Sequence, residues 1–466
     1  MSLELGKQLV QKKQFKKAFV VIQNLLKDNP KDFRNNFLAG QMYYRLNELE
    51  KSNTFFQKCD QIQPNTPSVI FNLALILQAQ GKIENAKEKY LNLISINKND
   101  VKSYYGLFIL DNSNINNKHR ETLKNLNNDV NTPLFEKSII NFMFSKFEKK
   151  KGNLKKEVDF LEIAHQLSYD SNKSYNNQSD FYYKNIISNN FNKLNFKDDF
   201  KELKDFNDSN HIFIVGLPRS GSTLVETIIS HNAKKIASVG EFHAINSSIL
   251  EQIGGIIYSK NFDLNNYKLS LNKKIFQNSI FNKYDNFEKK IYLDKSLENF
   301  FNIEIILKFF PNAKFIHTHR NINDAIIGIH QTLLSELSWS HKIKDIKNYV
   351  KIYNKLINYF KEKYPNKIIN VELNNFTNNK EAETKRILEF CNIEVTNDFL
   401  NFDKNEKLFN KTNSFLQVRK KIDDAEPMIL VGNYIALPSS TSLCSGRRGS
   451  CGGGSSHNAQ GHCPLG

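Results

Sequence analysis

Residues 211–223 read HIFIVGLPRSGST, and the rest of the chain is arranged around them. Ile212-Phe213-Ile214-Val215 is a short apolar, β-branched run between turn residues, the pattern of a buried strand. Gly216 and Pro218 end it. Beyond Arg219-Ser220-Gly221-Ser222-Thr223, the residues Leu224, Val225, Ile228 and Ile229 recur at helical spacing. The stretch therefore predicts a strand, a tight loop and a helix.

A loop of this kind suits a phosphate. The first N–H groups of a helix have no intrahelical partner, and the helix dipole puts partial positive charge there. Gly221 lets the backbone approach an oxyanion closely. Ser220, Ser222 and Thr223 add hydroxyl donors, and Arg219 adds a charged fork. The pattern is close to the G-x-x-x-x-G-K-[ST] loop of nucleoside triphosphatases, but Ser222 stands at the Lys position. A γ-phosphate enzyme needs that Lys, so the loop is expected to cradle phosphate without γ-phosphate chemistry. The plainer alternative is a strand–helix turn whose Ser and Thr only cap.

The motif G-x-P-R-S-G-[ST]-T after an apolar strand resembles the 5′-phosphosulfate loop of sulfotransferases, which use 3′-phosphoadenosine 5′-phosphosulfate (PAPS). It is most similar to the bacterial family that joins tetratricopeptide repeats to a domain like that of protein-tyrosine sulfotransferases. Four further motifs resemble the family in order. Glu241 lies in SVGEF, Asp294-Lys295 in YLDKSLENF, and Arg320 in PNAKFIHTHRNINDA. TNSFLQVRKKI, with Thr412, Ser414, Gln417 and Arg419, resembles the late loop that closes over the nucleotide. The resemblance spans roughly residues 1–422. It implies PAPS as co-substrate, with Arg219, Ser220, Gly221, Ser222, Thr223, Arg320, Ser414 and Arg419 as its ligands. It also implies Glu241 as general base and Lys295 as the electrophilic partner.

Sulfuryl transfer needs positioning, charge stabilisation and a base for the acceptor hydroxyl, and no metal. Each residue also has a plainer reading: Glu241 as a helix cap, Asp294 and Lys295 as a solvated pair, Arg320 as a surface charge. His243 is a second candidate base. His317 and His319 alternate along one strand face and read equally well as structural.

Residues 1 to about 100 repeat with a period of 34. Gly6, Gly40 and Ala74 form one small-residue column, and Ala18, Ser52 and Ala86 another. Phe15, Leu49 and Ile83, then Ile22, Phe56 and Tyr90, form apolar columns. This resembles the tetratricopeptide repeat, in which paired helices stack into a solenoid. Residues 112–134 read as a loop or weak helix, and 135–167 as a helical pair turning at Gly152. Residues 168–208 read as a helical linker. Past the phosphate loop, strands at 236–239, 291–293, 313–319 and near 368 alternate with helices, with a less ordered segment up to about 288. Such alternation predicts a parallel sheet covered on both faces, with ligands at the carboxyl ends of its strands. Arg219, Glu241, Lys295 and Arg320 all follow strands.

The expected architecture is an α plus α/β protein in two parts. Repeats occupy 1–110, a helical extension and linker 111–208, a P-loop-like sulfotransferase domain 209–426, and a tail 427–466. The net charge of +17 reflects a chain crowded with Lys and Asn, with no basic, aromatic-interleaved patch of a nucleic-acid site. No signal segment or membrane-length apolar run appears, so a cytoplasmic setting is expected. The resemblance implies a hydroxyl acceptor, on a protein tyrosine, a peptide or a glycan, docked by the repeats. The competing expectation is a non-catalytic repeat scaffold with a vestigial nucleotide site.

Three departures from the family stand out. Gly328 replaces the Ser expected eight residues after Arg320, unless Thr318, Asn321 or Thr332 substitutes for its hydroxyl. Val371-Glu372 replaces Tyr-Glu. After Ile422 the composition changes abruptly: no Lys occurs, and three of five Cys and seven of 19 Gly fall in 444–466. That tail is expected to be disordered, as a frameshift or altered gene end would leave it. The spacing of Cys444, Cys451, His457, His462 and Cys463 fits no metal site.

Overall fold

The computed structural model describes residues 2–400 except 13, 47, 194, 197–209, 234–235, 258, 260–261, 265–266, 273–274, 277–278, 280–290 and 396–398. Ser414, Arg419 and the tail lie outside the described residues.

The chain opens with antiparallel helix pairs: α1 (Leu3–Gln11), α2 (Phe15–Asp28), α3 (Phe33–Arg45), α4 (Leu49–Ile62), α5 (Pro67–Ala79), α6 (Ile83–Ile96) and α7 (Val101–Leu110). From α2 to α6 the helix starts repeat the 34-residue step seen in the sequence. The small-residue columns mark where helices touch. A Cβ on Gly40 would sit 2.9 Å from the Phe56 ring, and Ser52 Oγ, fully buried, donates to the Gly40 carbonyl at 2.8 Å.

Residues 112–134, expected to be a loop or weak helix, contain α8 (Asn117–Asn128). Asn116 caps it by accepting from the His119 N–H, and Leu123 and Leu126 bury its inner face. Two leucines and a cap suffice because α9 (Leu134–Lys150) supplies the surface to bury them. With α10 (Leu154–Ser171), α9 forms the expected hairpin, turning at Gly152 with φ +76°. Then come α11 (Lys173–Phe181), a π-helical turn (Tyr182–Ile187) and strand β1 (Asn195–Phe196). The expected helical linker is thus partly extended, and β1 pairs in parallel with β4 (Ser270–Leu271).

The main sheet has five parallel strands: β2 (Asn210–Gly216), β3 (Ile236–Gly240), β5 (Ile291–Asp294), β6 (Lys314–His319) and β7 (Ile368–Glu372), in the order β3-β5-β2-β6-β7. Side chains alternate between its faces. Ile212, Ile214, Leu293 and Ile316 pack one way, with α12 (Ser222–Asn232) and α18 (Lys380–Phe390). Phe213, Val215 and Phe315 pack the other way, with α16 (Ile343–Lys363). The less ordered segment expected before 288 holds α13 (Ala244–Ile257), whose Ile245, Ile249, Ile253 and Ile257 form one buried stripe. Gly254 and Gly255, poor helix formers, mask that stripe in the sequence. Three more helices lie among the described residues of this region: α14 (Ile303–Phe309), α15 (Ile322–His330) and α17 (Leu373–Asn378).

Among the described residues the helical array packs against the sheet region at both of its ends. At its start, Val10, Phe15, Ile22 and Leu38 share one hydrophobic core with Phe213 and Phe315, and the Phe15 ring stacks on Phe242 with centroids 5.8 Å apart. Farther along, Phe142 of α9 and Leu161 and Ala164 of α10 pack on Leu333.

Candidate active site

Arg219, Glu241, Lys295 and Arg320 follow β2, β3, β5 and β6, four neighbouring strands that all run the same way. Their carboxyl ends therefore share one edge of the sheet, where open α/β sheets bind ligands.

The loop after β2 is tightly built. Gly216 runs so close to β6 that a Cβ there would lie 2.3 Å from the Thr318 carbonyl. Arg219 takes a left-handed conformation, φ 67°, rare for a non-glycine residue. Gly221, φ 87°, forms the N-cap of α12, and a Cβ there would meet Leu373 at 2.6 Å. The Val225 N–H bonds back to Gly221, so the amides of Ser222, Thr223 and Leu224 lie ahead of the helical ladder. Ser222 and Thr223 are buried at that end. Ser220 is differently used: its hydroxyl contacts the Leu217 carbonyl at 2.7 Å and Thr318 Oγ1 at 2.9 Å, fastening the loop to β6.

Glu241 and Lys295 touch. Lys295 Nζ donates to Glu241 Oε1 at 2.8 Å and lies 3.4 Å from Glu226 Oε2. The Lys295 side chain is 1% exposed, the Glu241 side chain 50%. Burial alone would pull the Lys295 pKa down, but the Glu226 and Glu241 carboxylates outweigh it and hold the ammonium well above its ordinary value. Glu226 was not singled out in the sequence. It lies on α12 at helical spacing from Ser222, facing the sheet end, and is fixed by the Ser238 hydroxyl at 2.7 Å.

His243 is engaged elsewhere. It sits at φ 54°, its N–H donates to Ser296 Oγ at 2.7 Å, and its ring pairs closely with Glu298. Burial would raise the Glu298 pKa, yet His243 brings it below the usual carboxylate range. Asp294 accepts from the Ser296 N–H at 2.8 Å and shapes the turn that carries Lys295. His317 is buried against Asn370 (2.8 Å) and Tyr353, and desolvation lowers its pKa to about 3. It is a structural histidine.

Arg320 reaches the Arg219 carbonyl at 3.4 Å and pairs with Asp324 at 3.2 Å. Burial, then the Arg320 charge, lowers the Arg219 pKa. Two partly buried guanidinium groups close together make a centre for a multiply charged anion. A nucleotide carrying phosphates fits this donor set: helix amides, Gly221 without a side chain, and two arginines. Among the described residues no group of three His, Cys, Asp or Glu is placed to hold a metal.

The chain is 23% identical over 416 residues to an uncharacterized protein of Aquifex aeolicus, covering 85% of this chain and 52% of that protein. It thus spans about half the length of this relative. It also resembles a crystallised sulfotransferase of Mycobacterium tuberculosis at 8% identity and a TM-score of 0.32, over 65% of this chain and 96% of that one. Residues 211–398, which carry Arg219, Glu241, Lys295 and Arg320, match the profile of the Sulfotransferase family, and this stretch is a sulfotransferase-family domain.

Proposed function

We propose that the protein is a PAPS-dependent sulfotransferase acting on a hydroxyl acceptor, a protein tyrosine, a peptide or a glycan, which the repeat helices help to dock. The observation that carries the reading is the half-exposed Glu241 carboxylate bonded to the buried Lys295 on the sheet edge that also bears the phosphate loop. PAPS supplies an activated sulfuryl group. The loop amides, Arg219 and Arg320 hold its phosphates. Glu241 takes the proton as the acceptor oxygen bonds to sulfur, and the sulfur–oxygen bond to the nucleotide phosphate breaks. Lys295, kept charged by two carboxylates, stabilises the negative charge that develops on the departing oxygen. Ser414 and Arg419 are proposed to close over the nucleotide, and the setting is proposed to be cytoplasmic.

Calorimetry with 3′-phosphoadenosine 5′-phosphate and with ATP tests the nucleotide assignment. Transfer of labelled sulfate from PAPS to tyrosine peptides and to glycans tests the activity. Binding of the bisphosphate without any transfer would favour the scaffold alternative. Preference for ATP would overturn the reading.

A further inference from the structure

We propose that Lys146, on α9 of the helical array, is a phosphate-binding residue of this nucleotide site, so that the anion is held between the array and the sulfotransferase domain. The proposal rests on the nucleotide reading above and adds a residue from outside the matched stretch 211–398.

Lys146 Nζ donates to the Gln331 carbonyl at 2.7 Å, just past the end of α15, and lies 4.9 Å from the centre of the Phe142 ring. Desolvation is the main cause of a pKa lowered to about 8, and Lys149 and Arg219 push it the same way. Glu157 opposes them, yet it is itself buried and stands 3.9 Å from Lys149. Arg219 in turn feels Arg320. Lys146, Arg219 and Arg320 thus bring three partly buried positive charges together from two parts of the chain, with Asp324 paired to Arg320 at 3.2 Å. With three cations and one paired carboxylate, the cluster keeps an excess of positive charge that a bound anion would offset. Arg320 Nε is buried with no hydrogen-bond partner among the described residues.

The departure at Gly328 shows what Lys146 is placed to supply. Thr318 is bound to Ser220 at 2.9 Å, Asn321 caps α15, and Thr332 donates to the Gly328 carbonyl at 2.9 Å. All three side chains that could replace the missing hydroxyl are already engaged. Lys146 is anchored at Gln331, one helical turn beyond Gly328. A charged donor from the array stands beside the position where a neutral one was lost.

The test uses the full chain, with 3′-phosphoadenosine 5′-phosphate and inorganic pyrophosphate as calorimetric probes. Lys146→Met keeps the stem against Phe142 and removes the charge. It should weaken both probes by about tenfold to a hundredfold, while Lys146→Arg stays within about threefold. Lys150→Met, exposed on the same helix, controls for overall charge and should change little. A Lys146→Met protein that binds both probes like wild type overturns the proposal. Should that variant fail to fold, pH gives a second readout. The groups facing Lys146 are Lys149, Glu157, Arg219, His165 and His330. Wild-type affinity should fall above about pH 8 and that of Lys146→Arg should not; identical profiles also overturn it. If pyrophosphate binds through Lys146 but the nucleotide does not, the anion site stands and the nucleotide reading falls. If neither probe binds wild type, both fall.

Discussion

Lys295 Nζ lies 2.8 Å from Glu241 Oε1, with the lysine buried and the carboxylate half open to solvent. The pair orders the two groups: a fixed charge behind, a solvent-facing carboxylate in front. Glu241→Gln keeps the shape and removes the basicity. It should lower turnover about 10²–10⁴-fold with little change in nucleotide affinity. His243→Gln, which disturbs the Glu298 contact instead, should keep turnover within about tenfold. Steady-state kinetics with both variants decides, and normal turnover in Glu241→Gln removes it from the base role.

Arg219→Ala should weaken binding of 3′-phosphoadenosine 5′-phosphate by about 1.5–3 kcal/mol, the range for a charged donor. Equal calorimetric affinities for wild type and variant would falsify the loop assignment.

Gly328 is buried inside α15. Gly328→Ser should tighten binding of the same nucleotide by about 1 kcal/mol by restoring a hydroxyl. Unchanged affinity in a folded variant counts against a phosphate at this turn.

Phe15 is 1% exposed and stacks on Phe242, the residue after Glu241. Phe15→Ala should cost about 3–5 kcal/mol, as large aromatic truncations do. Since Phe15 lies in one core with the sheet, the sheet should feel the loss. Hydrogen exchange in β2 and β6 reads this directly; a loss confined to α1–α3 would show that the array folds apart from the domain.

His165, His330 and His341 form a buried cluster between α10, the last residue of α15 and the segment after it. His165 Nε2 faces the His330 carbonyl at 2.7 Å, so it must carry the proton, and Nδ1 then accepts from His341 Nδ1–H at 3.2 Å. Desolvation is the leading cause of their lowered pKa values, about 4, 3 and 4. Each lies below the ordinary value of about 6.5, so the unfolded chain binds the extra protons. Their contribution is complete above about pH 6.5 and drains away as pH falls toward 4 and then 3. Melting temperature should drop across that window, and His341→Phe should flatten the drop. A slope unaltered by the substitution would place the acid sensitivity elsewhere.

Much of this protein is legible without its structure. Local periodicity carries the helix pairs, because each repeat buries the same columns against its neighbour. Alternating apolar runs carry the parallel sheet, and strand ends bring Arg219, Glu241, Lys295 and Arg320 to one edge. What could not be read depends on contacts between distant segments. α8 and α13 have weak local signals and form because packing rewards them. Glu226 is one carboxylate among many until the sheet sets it against Lys295. Ser220 looks like a phosphate donor in the motif, yet its hydroxyl donates to the Leu217 carbonyl and accepts from Thr318, 98 residues away. Lys146 and Arg219 belong to separate stretches with unrelated patterns. The packing of α9 on the segment after α15 brings the Lys146 charge within reach of the Arg219 charge, and proximity across a core leaves no period in the sequence.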